Sequence, residues 1–163
     1  MPSLAHINAM NTSQARELFS RCSKAGAYTQ HLAAARPFAT VGEIESASDQ
    51  ATLELDRAGL LEAFAGHPRI GDRKPVSAWS SAEQSGVTQA DAQLLEQLRD
   101  ANCSYEAKFD HVFLICATGK SAAYMVSECV RRISHSPDVE LEEAREQLRL
   151  INRIRINKLL EEL

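Results

Sequence analysis

From Ser136 to about Leu160 the chain contains no glycine and no proline beyond Pro137. Ser136 offers a side-chain cap, Pro137 suits the first helical position, and Asp138 follows where the helix dipole favours negative charge. At about 100° per residue, Leu141, Ala144, Leu148, Ile151 and Leu159 fall on one side. The spacing therefore predicts a long helix buried along one face. Arg155 lies in the middle of that stripe. A guanidinium aimed at a core must meet a carboxylate, supplied either by the protein or by a ligand. Arg149 and Arg153 fall off the stripe and are expected in solvent.

Helical periodicity recurs upstream. After the polar NTSQ at 11–14, Ala15, Leu18, Phe19 and Cys22 recur at three- and four-residue spacing. Ile44, Ala47, Ala51, Leu53 and Leu55 form a weaker pattern, followed by Leu60, Leu61 and Phe64, with Gly66 as a helix stop. From 66 to 80 the chain holds Gly66, Pro68, Gly71 and Pro75, which predicts a loop. TQAD at 88–91 has the spacing of a capping box and opens a helix to about Phe109 that carries Leu94, Leu95, Leu98, Ala101, Cys103 and Tyr105. VFLICA at 112–117 is continuously apolar, but no second strong strand candidate exists to pair with it, so it is expected as a buried extended segment or a short helix. The fold class is all-α, and 163 residues without an internal repeat predict one domain spanning 1–163.

A net charge of −4 argues against general nucleic-acid affinity and against a basic membrane face. No apolar run is long enough to cross a bilayer, and no N-terminal export signal is evident. Cys22, Cys103, Cys116 and Cys129 form no C-x-x-C pair, so reduced thiols packed as small apolar groups, and a cytoplasmic setting, are expected. The histidines at 6, 31, 67, 111 and 135 lack metal-ligand spacing.

Three stretches carry candidate chemistry. In AGHPRIGDRK, His67 is a candidate proton-transfer side chain whose backbone is stiffened by Pro68, although a lone loop histidine is more often a cap or a solvated residue. In WSSAEQ, Glu83 and Gln84 follow the sole tryptophan, and a carboxylate beside an imidazole can orient it or take a hydroxyl proton; an exposed first helical turn is the simpler reading of that stretch by itself. ATGKS at 117–121 lacks the glycine that a phosphate loop needs at position 114, which is leucine. That leaves a turn whose free backbone groups either meet a polar ligand or cap a helix beginning near Ser121.

Taken in order, HPRIG at 67–71, WSSAEQ at 79–84, N-x-x-Y-x-x-K-F at 102–109 and FLICATGKS at 113–121 resemble the OHCU decarboxylase family. RPF at 36–38 and the closing I-R-I-x-K-L at 154–159 extend the resemblance over nearly the whole chain. KFD at 108–110 stands where the family commonly has KFG, and GKS at 119–121 where it often has GRS. The resemblance implies an all-helical homodimer with no metal and no organic cofactor. It implies decarboxylation of 2-oxo-4-hydroxy-4-carboxy-5-ureidoimidazoline (OHCU) to (S)-allantoin in urate breakdown, with His67 and Glu83 catalytic. Pro68, Ser80, Ser81, Ala82, Glu83, Gln84, Ile115, Cys116, Ala117, Thr118, Gly119 and Arg155 would contact substrate. These groups are expected to converge on one ligand-sized hollow. The competing expectations are a non-catalytic helical ligand-binding module, and a decarboxylase of a related ureido-imidazoline acid.

Overall fold

The computed structural model describes residues 2–71, 78–85 and 92–163. Among them every regular element is a helix: α1 (Pro2–Ala9), α2 (Thr12–Phe19), α3 (Gly26–Ala34), α4 (Val41–Leu53), α5 (Arg57–Ala65), α6 (Ala78–Glu83), α7 (Ala92–Phe109), α8 (Ala122–Ile133) and α9 (Pro137–Glu162). The expected all-α class holds. Contacts divide the chain into two units, one of residues 1–66 with 148–163 and one of residues 67–147, the division falling inside α9.

In the first unit the polar NTSQ acts as a helix start. The Asn11 side chain accepts from Gln14 N–H while the Gln14 side chain accepts from Asn11 N–H, a reciprocal cap. α3 packs against α2, α4 and α5. It has no side-chain N-cap and was not anticipated from the sequence, yet Tyr28, Thr29, Leu32 and Ala33 are buried on it. The α4 pattern corrects the expected face. Leu53 is 54% exposed, while Ile44, Ser48, Ala51 and Thr52 are buried. Burying the two hydroxyls is tolerable because each is bonded: Tyr28 Oη and Ser48 Oγ lie 2.7 Å apart, and Thr52 Oγ1 donates to Ser48 O. Asn152 of α9 then donates to Thr52 Oγ1 at 3.1 Å.

Arg153 is exposed, as its off-stripe position suggested, whereas Arg149 is half-buried. Both donate to Asp49 Oδ2, at 2.9 and 3.3 Å, and Arg153 also reaches Glu45. The RPF stretch is explained by main-chain bonding: Arg36 donates to the carbonyls of Ile7, Met10 and Ala33, and the Asn8 amide exchanges two hydrogen bonds with the Phe38 backbone.

In the second unit α7 packs on α8 around Leu98, Ala101, Tyr105, Phe109, Phe113, Met125 and Cys129. The predicted capping box at 88–91 lies outside the described residues. Asp110 ends α7 at φ +61. That is the position of the family's usual glycine, and Asp is among the few side chains that enter the left-handed region readily. Residues 112–117 form neither helix nor strand. Ser121 caps α8 by accepting from Tyr124 N–H at 3.1 Å, and Ser136 does the same for α9 from Val139 N–H. All four cysteines are free thiols, but the packing expectation fails for Cys103, which is exposed on α7.

A fully buried ion pair holds this unit together. Arg132 donates through Nε and Nη2 to Glu140 Oε1, at 2.9 and 2.5 Å, and through Nη1 to Leu114 O at 2.8 Å. Its guanidinium lies 4.7 Å from the centre of the Phe113 ring, a favourable cation–aromatic placement. Tyr105 Oη donates to the same carboxylate. Burial, reinforced by Glu140, pushes the Tyr105 phenol well above its usual range, so it stays a donor.

Candidate active site

His67 and Glu83 are both buried, at 8% and 9% exposure. The loop that carries His67 is fixed at Arg69, Ile70 and Gly71. Arg69 makes a two-pronged ion pair with Glu106 of α7, at 2.5 and 2.6 Å. Ile70 enters the apolar core, and its carbonyl accepts from the buried Asn102 side chain at 2.9 Å. Gly71, at φ +90, donates its N–H to Gln84 Oε1 at 3.1 Å. The crowding of polar residues behind His67 is thus a set of anchors. Two of them come from the motif N-x-x-Y-x-x-K-F, since Asn102 and Glu106 are four residues apart on one helix face.

α6 begins at Ala78, so the predicted loop of 66–80 ends slightly early. Glu83 closes that helix and is buried, which rules out the exposed first turn as its setting. Gln84, expected on the substrate, holds the His67 loop through Gly71. Ala82 is exposed. Ser80 lies on the helix next to the half-buried Trp79, and Ser81 follows it.

The segment at 115–119 belongs to the same unit. Ile115 and Ala117 are buried, while Thr118 and Gly119 are exposed. Lys120 N–H closes a turn onto Ala117 O at 3.0 Å, with Gly119 at φ +74. A Cβ at Gly119 would meet nothing within 4 Å, so backbone conformation rather than space selects glycine there. The Cys116 thiol is pushed up, first by burial; a hydrogen bond from the Thr118 backbone opposes the shift and the charge of Glu83 adds to it. Cys116 N–H is already engaged, donating to Gln147 Oε1 at 2.9 Å, so this backbone group is not a donor to substrate.

Arg155 lies in the first unit, 6% exposed, and Nη1 donates to Cys22 O at 3.1 Å. Its predicted burial holds, and a carbonyl is one of its partners. His135, Glu140 and Glu143 bring ligand-type atoms within 4.8 Å of one another, a cluster the spacing of the histidines did not suggest. Arg132 and Tyr105 bond Glu140, and Arg131 bonds Glu143, which makes the trio part of an ion-pair network. Sequence reasoning missed Arg132 and Glu140. The signal was present, because Ala122, Met125, Cys129 and Arg132 lie on one stripe of α8.

Fold and site together define an all-helical protein with a buried imidazole and a buried carboxylate brought into one unit by a pinned loop. The chain belongs to the OHCU decarboxylase family, whose description matches residues 8–157. It is 28% identical over 145 residues to the uric acid degradation bifunctional protein TTL of Arabidopsis thaliana, covering 85% of this chain and 45% of that protein. The chain thus spans less than half the length of that bifunctional relative. It is 25% identical over 123 residues to a 2-oxo-4-hydroxy-4-carboxy-5-ureidoimidazoline decarboxylase of Haloferax volcanii, covering 74% and 73% of the two chains. A crystal structure of OHCU decarboxylase determined in the presence of (S)-allantoin superposes with a TM-score of 0.79 at 26% identity, covering 90% of this chain and 98% of that one. Among the described residues no helix is long and apolar enough to cross a membrane.

Proposed function

We propose that this protein decarboxylates OHCU to (S)-allantoin in urate breakdown, without a cofactor, as a cytoplasmic homodimer. The observation that carries the reading is the burial of both His67 and Glu83, on a loop and a helix joined through Gly71 and Gln84. Such placement suits acid–base work, where an imidazole must be aimed and shielded from bulk water. Four free thiols accord with a reducing compartment.

The substrate explains why its own atoms suffice. Its carboxylate is attached to a hydroxyl-bearing carbon next to a C=N carbon. When the bond to CO₂ breaks, the electron pair flows toward the C=N nitrogen, and a proton must then reach one face of the adjacent carbon. In this proposal His67 delivers that proton, and Glu83 polarises the substrate hydroxyl and keeps the imidazole aligned. Pro68, the 80–84 segment and the 115–119 segment line the substrate, and Arg155 with backbone N–H groups of 115–119 other than that of Cys116 holds its carbonyl or anionic oxygens.

Stereochemistry gives the direct test. Purified protein supplied with freshly generated OHCU is expected to yield allantoin of one hand, read as optical rotation, faster than the spontaneous reaction. A racemate at the spontaneous rate would reject the activity. Arg155→Leu should raise KM at least tenfold with a helical spectrum like that of wild type. Misfolding accompanied by normal binding in the surviving soluble fraction would make Arg155 a structural residue instead.

A further inference from the structure

The segment that follows Asp110 is buried yet belongs to no sheet, so its main-chain groups cannot find partners along a neighbouring strand. Side chains take that role. Arg132 of α8 donates to Leu114 O at 2.8 Å, and Gln147 of α9 accepts from Cys116 N–H at 2.9 Å. The two clamped positions are two residues apart. In an extended chain such positions share an edge, and the groups of the intervening residue turn the other way.

We infer that Gln147 and Arg132 are positioning residues: they take up one edge of the 113–117 segment and thereby present the main-chain N–H groups of its opposite edge, at Ile115 and Ala117, to the substrate. This deepens the proposed function and rests on its placement of substrate along 115–119. Arg132 is itself locked by Glu140 and seated 4.7 Å from the Phe113 ring centre, so one end of the clamp is rigid. Gln147 is half-buried and makes the adjustable end. Neither residue touches the reacting atoms in this scheme. Their effect is on where the backbone donors stand, and a donor displaced by a fraction of an ångström loses its bond to substrate.

The experiment uses the half-buried end, where substitution spares the core. Gln147→Leu removes the acceptor for Cys116 N–H, and Gln147→Glu keeps an acceptor oxygen at the same reach. Gln147→Leu is expected to raise KM at least tenfold with kcat within threefold, since the lost contacts serve ground and transition states alike. Gln147→Glu should return most of that loss. Hydrogen exchange followed by mass spectrometry should show faster exchange for peptides covering 113–118 in Gln147→Leu, with α7 and α8 unchanged. Wild-type kinetics in Gln147→Leu, or a Gln147→Glu variant as impaired as Gln147→Leu, would overturn the inference. The exchange arm needs no substrate: if wild-type protein fails to turn over OHCU, the proposed activity falls, and exchange still decides whether Gln147 clamps the segment.

Discussion

Alanine in place of His67 is expected to slow formation of (S)-allantoin by about 10²–10⁴-fold, the usual contribution of a positioned proton donor, while the protein still folds. The second half of that expectation follows from the anchors of the loop. The Arg69–Glu106 pair, the Asn102 bond to Ile70 O and the Gln84 bond to Gly71 N–H all attach to neighbours of His67, leaving them in place when the imidazole is cut away. Loss should therefore appear in kcat with the circular dichroism spectrum preserved. Glu83→Gln should lower kcat in the same direction, because an amide cannot carry the charge that aligns and balances an imidazolium. The two substitutions combined should cost much less than the product of their separate effects, as expected of groups acting as a unit. A folded His67→Ala protein with wild-type turnover would remove the imidazole from the mechanism.

The parts of this structure that were legible in the sequence are those governed by one local rule. Ser136, Pro137 and Asp138 announce α9, because capping is decided within four residues. Arg155 was recognisable as buried because a cation interrupting an apolar stripe is a contradiction that only tertiary structure resolves. The failures share a cause too. Ser48 and Thr52 were passed over in favour of Leu53 because hydropathy scores a hydroxyl as surface, whereas Tyr28, twenty residues earlier, supplies the partner that makes Ser48 a core residue. The half-burial of Arg149 escaped for the same reason, since its partner Asp49 lies 100 positions away in the chain and no periodicity links them. At the site, residue types were visible but the anchoring was not. Gln84 belongs to a recognisable motif, yet its bond to Gly71 exists only once α6 is placed beside the loop.

Replacing Arg132 by methionine should have the largest effect on stability of any single change considered. Arg132 and Glu140 are both fully buried, and removing the guanidinium leaves the buried Glu140 carboxylate to Tyr105 Oη and His135 Nδ1, at a cost of about 3–5 kcal/mol for breaking a buried pair. Against a total stability of about 5–15 kcal/mol for an ordinary domain, that is a substantial fraction. With about 2–4 °C lost per kcal/mol in a protein of this size, the melting temperature should fall by about 6–20 °C. Two further groups lose their partner or its balance: Leu114 O loses its donor, and Tyr105 Oη faces a carboxylate no longer neutralised by the guanidinium. The double change Arg132→Met with Glu140→Leu separates these costs. Exchanging a buried ion pair for apolar side chains of similar volume is often neutral or better, so the double variant should recover part of the loss. It should not recover all of it, because an unsatisfied carbonyl at Leu114 and a phenol without its acceptor each cost about 1–3 kcal/mol. Thermal and urea unfolding of the two variants beside wild type give the comparison. If Arg132→Met unfolds within about 1 kcal/mol of wild type, a value typical of exposed pairs, the pair is not the keystone of this unit. The rigid end of the proposed clamp on Leu114 would then have to be sought elsewhere.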